Sequence, residues 1–158
     1  MKLGADRTKL ILDNFFEFSF DKEDGYLPDK ELFDSLSSEE QYFLVSIYNW
    51  DDGIEVLDWV VESDKCDLGT AIQIFWLAEP DYYFEFSETT IDEYEKGVWE
   101  LLQKILRKVR GGEFENKKFE FIPVEEGYHV EYENQLEIWR LPSILKEGTR
   151  GVKPGILD

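Results

Sequence analysis

The chain has 158 residues, with 17 bases against 36 acids for a formal net charge of −19, and holds 12 Phe, 8 Tyr and 5 Trp but one Cys and one His. Such a length fits a single domain with a core of ordinary size, and the charge excludes sequence-independent nucleic-acid binding, which needs Lys and Arg against phosphate. No run of about 18 apolar residues exists, which excludes a membrane span.

A lone cysteine closes no internal disulfide, and MKLGADRTKLILDNFF has neither a long apolar stretch nor a small-residue cleavage site, so the expected compartment is the cytoplasm. The charge is uneven. Residues 1–40 hold 5 bases and 11 acids, residues 41–100 hold 2 and 15, and residues 101–158 hold 10 of each. An acidic middle of this kind draws a basic protein partner and speeds its approach.

In chain order, DRTKLILDNFFEF spaces Leu10, Ile11, Phe15 and Phe18 as one face of a helix over 6–18. A charged turn over Asp21–Gly25 and then Pro28 read as a loop, followed by a helical turn over Asp29–Asp34. Ser37 and Glu40 have capping-box spacing, in which each side chain satisfies the other residue's backbone N–H. A helix over Ser38–Tyr48 would bury Phe43, Leu44 and Ile47. Asn49 and Trp50 end it, and Asp51 starts the next, whose stripe is Ile54, Leu57, Val60 and Val61.

After the polar connection Ser63–Lys65, Asp67 caps a helix over 67–79 that is apolar nearly all round (LGTAIQIFWLA). Such a helix belongs inside a bundle. Pro80 closes it. Asp81–Thr89 mixes aromatics and acids without clear periodicity. Thr90 and Glu93 have capping-box spacing again, and Ile91, Tyr94, Val98, Leu101, Leu102, Ile105 and Val109 follow at helical intervals. Bases gather at the end of this helix, and Gly111 and Gly112 stop it.

The period then changes from 3.6 to two. KKFEFIP and GYHVEY alternate around PVEEG, which reads as an antiparallel β-hairpin. Leu136, Ile138 and Trp139 extend it or pack beside it. Residues 147–158, rich in glycine, form an extended or mobile tail. The expected architecture is mainly α: one domain (1–158), a helical bundle around the buried helix 67–79, with a small C-terminal hairpin.

The residues offer little for catalysis. His129 lies on the polar side of its segment with no nucleophilic serine to serve. Cys66 beside the Asp67 cap suits a small buried apolar side chain better than a reactive thiol. One His and one Cys cannot build a zinc site. Asp51, Glu55, Asp58 and Glu62 form one helical stripe, but one helix cannot wrap a calcium ion and no EF-hand loop is present. No nucleotide-binding fingerprint occurs. No catalytic residue, cofactor or metal is therefore assigned, and the chain is not expected to be an enzyme.

YNWDDG (Tyr48–Gly53), CDLGTA (Cys66–Ala71) and Phe75–Trp76 together resemble the signature of a bacterial family known only as a domain of unknown function. The resemblance covers roughly Ser37 to Phe84. It implies a shared fold and a bacterial source, and it transfers no catalytic residue.

The leading expectation is an acidic intracellular protein-binding module, similar in character to immunity proteins that block the basic active site of a toxin. Asp51, Glu55, Asp58 and Glu62 would supply steering charge, and Tyr82, Tyr83 and Phe86 anchor area. One competing expectation is a small-molecule-binding domain or enzyme with a pocket formed by Asn49, Trp50, Asp51 and Asp52. Another is a structural or oligomeric protein without catalytic activity.

Overall fold

A computed structural model describes residues 2–17, 27–133 and 135–156. Seven α-helices occur among them: α1 (Ala5–Phe15), α2 (Lys30–Asp34), α3 (Ser38–Ile47), α4 (Glu55–Glu62), α5 (Leu68–Leu77), α6 (Lys96–Arg110) and α7 (Ser143–Glu147). Short 3-10 turns cover Trp50–Asp52, Pro80–Tyr83 and Glu137–Trp139. The strands β1 (Lys2–Leu3) and β2 (Gly155–Ile156) pair in parallel and tie the two ends of the chain together. The protein is mainly helical, as its periodicity implies.

α5 is the axis of the bundle. Every residue from Leu68 to Trp76 is buried, and α3, α4 and α6 pack around it. Asp67 begins it as expected, accepting from the backbone N–H of Gly69 at 2.8 Å. The carboxylate does more than cap. It also accepts from the backbone N–H groups of Lys118 (2.8 Å) and Phe119 (3.2 Å), while Leu68 N–H donates to the Asn116 carbonyl. One fully buried side chain thus starts the central helix and fastens the distant 116–119 segment against it.

α3 is set by its capping box. Ser37 Oγ accepts from Glu40 N–H at 3.1 Å, and Glu40 accepts from Ser37 N–H at 3.0 Å. Glu40 also takes the Arg7 guanidinium, which docks α1 on α3. Burial opposes ionisation of that carboxyl. The Arg7 guanidinium and the Ser37 N–H prevail and hold its pKa below the ordinary glutamate value.

α6 buries Trp99, Leu101, Leu102, Ile105 and Leu106 and ends in Arg107, Lys108 and Arg110, as the helix dipole favours. It starts later than its periodicity suggests. The Thr90–Glu93 capping box does not form. Thr90 Oγ1 accepts instead from Ser87 N–H, and Asp92 accepts from Tyr94 N–H. These local side-chain bonds hold residues 87–95 in turns and postpone the helix to Lys96. Tyr94 consequently faces water with 93% of its surface exposed, although the periodicity put it on the apolar face.

No hairpin joins the two period-two segments. Phe119 and Phe121 do point inward, but their backbone partners lie elsewhere. Phe121 and Thr149 exchange N–H···O bonds, and Glu120 and Lys118 bond to Val152. Two local features explain the choice. PVEEG folds back on itself through Tyr128 N–H to the Pro123 carbonyl, and the Tyr128 ring then packs on Trp76 and Phe121. Gly148 (φ 78°) brings the chain so close to Phe121 that a Cβ there would collide with its carbonyl. From Thr149 the chain runs extended along 118–121 and ends as β2.

The expected loop over Asp21–Gly25 lies outside the described residues, as do Phe18 and the last two residues of the tail.

Candidate functional site

Asn49 has a structural duty. Its Oδ1 accepts from Asp51 N–H at 2.9 Å and opens the 3-10 turn of Trp50–Asp52, after which Gly53 turns the chain with φ 95°. The Tyr48 hydroxyl is buried, which raises its pKa, and donates to the Gly53 carbonyl at 2.6 Å. Trp50 and Asp52 are partly buried, whereas Asp51 points outward. Among the best-formed surface depressions of the described residues are five of about 220–620 Å³, and none of these is lined by Asn49–Asp52.

The acidic stripe on α4 is divided in two. Lys104 of α6 reaches across to Asp58 at 2.6 Å and to Glu62 at 2.8 Å. The hydrogen bond from Lys104 holds the Glu62 carboxyl below the ordinary glutamate pKa against a smaller opposing effect of burial. Half of the stripe is therefore committed to docking α6 on α4. Asp51 and Glu55 are exposed and make no ion pair among the described residues.

The expected anchors separate in the same way. Tyr83 is buried, and its hydroxyl donates to Glu95 at 2.7 Å. Burial, and then that hydrogen bond, push the phenol pKa up. Phe86 is half-buried, and its carbonyl accepts from the indoles of Trp99 (3.1 Å) and Trp139 (2.8 Å). Tyr82 remains 50% exposed, with its ring against Tyr83 and Phe86. Two core tryptophans thus fix the backbone beneath an exposed tyrosine.

Residues 79–95 carry seven acids and no base. Among the described residues none of these acids is in a salt bridge, in contrast to Asp58 and Glu62. Asp81, Glu85, Glu88, Asp92 and Glu93 are exposed around Tyr82 and Tyr94. Glu79 opens the segment in the left-handed conformation (φ 55°), which turns the chain sharply off the end of α5 ahead of Pro80. Sequence reading misses Tyr94. The signal for it is the Ser87, Thr90 and Asp92 set, whose side chains favour turns over helix.

Cys66 is buried with its thiol against the Asp67 carbonyl, and burial pushes its pKa up. His129 is exposed, with its ring edge-on to Tyr132. No group of three or more His, Cys, Asp or Glu side chains among the described residues is arranged to hold a metal ion. No helix among them is long and apolar enough to cross a membrane.

Residues 37–110 match a family model described as a domain of unknown function, DUF4274. The match runs from the N-cap of α3 to the last residue of α6. It extends past the stretch on which the sequence resemblance rested and takes in the whole 79–95 segment. The 116–119 segment held by Asp67 lies outside it, as does α7. No curated protein and no solved structure matches the chain.

Proposed function

We propose that the protein is an acidic binding module for a basic protein partner, of the kind that neutralises a toxin by covering its cationic active site. Its contact surface is the 79–95 segment. The observation that carries this reading is the contrast between two acidic regions. On α4, Lys104 neutralises two of four carboxylates, while residues 79–95 hold seven acids with no salt bridge among the described residues.

Charge alone would serve for solubility. Exposed Tyr82 and Tyr94 among the acids add the flat, rigid area on which interface energy concentrates. The indole bonds to the Phe86 carbonyl hold the segment in place before any partner arrives, which lowers the entropic cost of binding.

The test is co-expression with the product of the gene immediately upstream, which the reading expects to be a basic toxin. Relief of that product's toxicity, lost when Tyr82 and Tyr94 are both changed to Ala, is the expected result. A neighbour that is neither basic nor toxic, or toxicity that is unrelieved, would contradict the reading.

A further inference from the structure

The half of the chain with balanced charge contains a concave site of the opposite character. Val130, Tyr132, Leu136 and Leu141 line a hollow of about 220 Å³ together with Gln135, Glu137, Arg140 and Lys146. A second hollow shares Glu137, Arg140 and Leu141 with it and continues past Val109, Arg110 and Pro142. The result is a two-lobed groove whose first lobe is predominantly polar and whose second, past Val109 and Pro142, is predominantly apolar, with cationic groups along its length.

The counter-ions of these cations are held loosely. Arg140 pairs with Glu137 at 2.9 Å, but both side chains are 76% exposed, so the pair is weak and solvated. Lys146 is only 33% exposed, and its nearest carboxylate, Glu131, stands 3.6 Å away. The Lys146 ammonium can therefore accept a shorter partner, and the Arg140 fork can serve two carboxylates at once.

The backbone carrying Arg140 is rigid. Arg110 donates to the carbonyls of Ile138 (3.2 Å) and Arg140 (2.6 Å). Gln135 Nε2 donates to the Trp139 carbonyl, and Leu136 N–H donates to the Phe84 carbonyl. Trp139 beneath is fully buried. An apolar lobe joined to a few fixed polar groups is the usual form of a small-ligand site.

We infer that this groove binds a small amphipathic carboxylate. The acid group would lie between Arg140 and Lys146 in the polar lobe, and an apolar tail would lie along Leu141, Val109 and Pro142 in the apolar one. Such a carboxylate could be a free aryl or alkyl acid or the C-terminal end of a peptide. The two share one chemistry and differ in whether a peptide chain continues beyond the tail. Gln135 is spent on the Trp139 carbonyl through its amide nitrogen, and Glu137 would shift from Arg140 toward solvent without losing burial energy.

Backbone amide shifts of the full chain, titrated with 4-phenylbutyrate, with N-acetyl-leucyl-leucine and with the amide of that dipeptide, test the inference. Saturable shifts at Tyr132, Leu136 and Leu141 with either acid, and no saturation with the amide, are expected. Both acids saturating would mark the carboxylate and a short tail as sufficient, and one alone would identify the source. Arg140→Gln should weaken binding about tenfold through loss of a charge-assisted contact. Its unchanged amide spectrum elsewhere would show that the exposed side chain is not needed for folding. No saturable shift with either acid, equal binding of the amide, or undiminished binding by Arg140→Gln would overturn the inference.

Discussion

Asp67 and Lys118 are separated by 51 positions in the chain, yet the carboxylate of one accepts from the backbone N–H of the other at 2.8 Å. With the bonds from Gly69 and Phe119, a single fully buried side chain satisfies three backbone donors on two segments. Asp67→Ala would leave those donors buried without partners. The expected loss is about 3–5 kcal/mol of unfolding free energy, measured by urea denaturation. A loss below about 1 kcal/mol would show that Asp67 is an ordinary helix cap.

Gly69→Ala probes the same junction. At an ordinary helical position this change gains up to about 1 kcal/mol, because glycine is the weaker helix former. Here a Cβ would run into the backbone carbonyl of Phe119, which is held in place by the Thr149 hydroxyl donating to it at 2.6 Å and by Glu120 N–H of the same peptide group bonding to Val152. Gly69→Ala is expected to lower stability by about 1–3 kcal/mol through overpacking. A rise in the thermal midpoint would contradict the close approach.

Lys104 joins α6 to α4 through two carboxylates, with 23% of its own side chain exposed. Lys104→Gln should cost about 1 kcal/mol, since partly screened pairs contribute modestly. A double-mutant cycle with Glu62→Gln should show coupling. Additive effects would mean that the pair is decorative.

Acid should weaken the fold through the same kind of contact. Glu39, Glu40 and Glu62 all have pKa values lowered in the folded state from 4.5 by Lys118, Arg7 and Lys104 respectively, although burial opposes this. A depressed folded pKa adds stability above the unfolded value, and that stability is lost as pH falls through the folded one. The thermal midpoint should therefore drop as pH falls below about 4.5. The drop should be smaller in Glu40→Gln, which has already lost its ion pair. An equal acid dependence in that variant would remove Glu40 from the explanation.

Much of this architecture is legible in the residues. Ser37 and Glu40 fix the start of α3, Asp67 the start of α5, and the apolar circumference of LGTAIQIFWLA its central burial, because each is a local signal. The late start of α6 and the missing hairpin turn on competition. Ser87, Thr90 and Asp92 can bond locally or cap a helix, and Phe121 can pair with the strand after PVEEG or with Thr149. Neither outcome is set by periodicity. The contact surface proposed above is hidden in the sequence for a related reason. Which acids stay unneutralised depends on where Lys104 lands, and that requires α6 to be docked on α4.

The most direct test of the central claim is the affinity of the protein for the product of the upstream gene, measured for two pairs of substitutions. Tyr82→Ala with Tyr94→Ala should weaken binding about a thousandfold, because hot-spot aromatics carry about 2 kcal/mol or more each, with little change in thermal midpoint, since Tyr94 is 93% and Tyr82 50% exposed. Asp51→Asn with Glu55→Gln should leave the affinity within about threefold. The reverse ranking would place the binding surface on α4 and contradict the account.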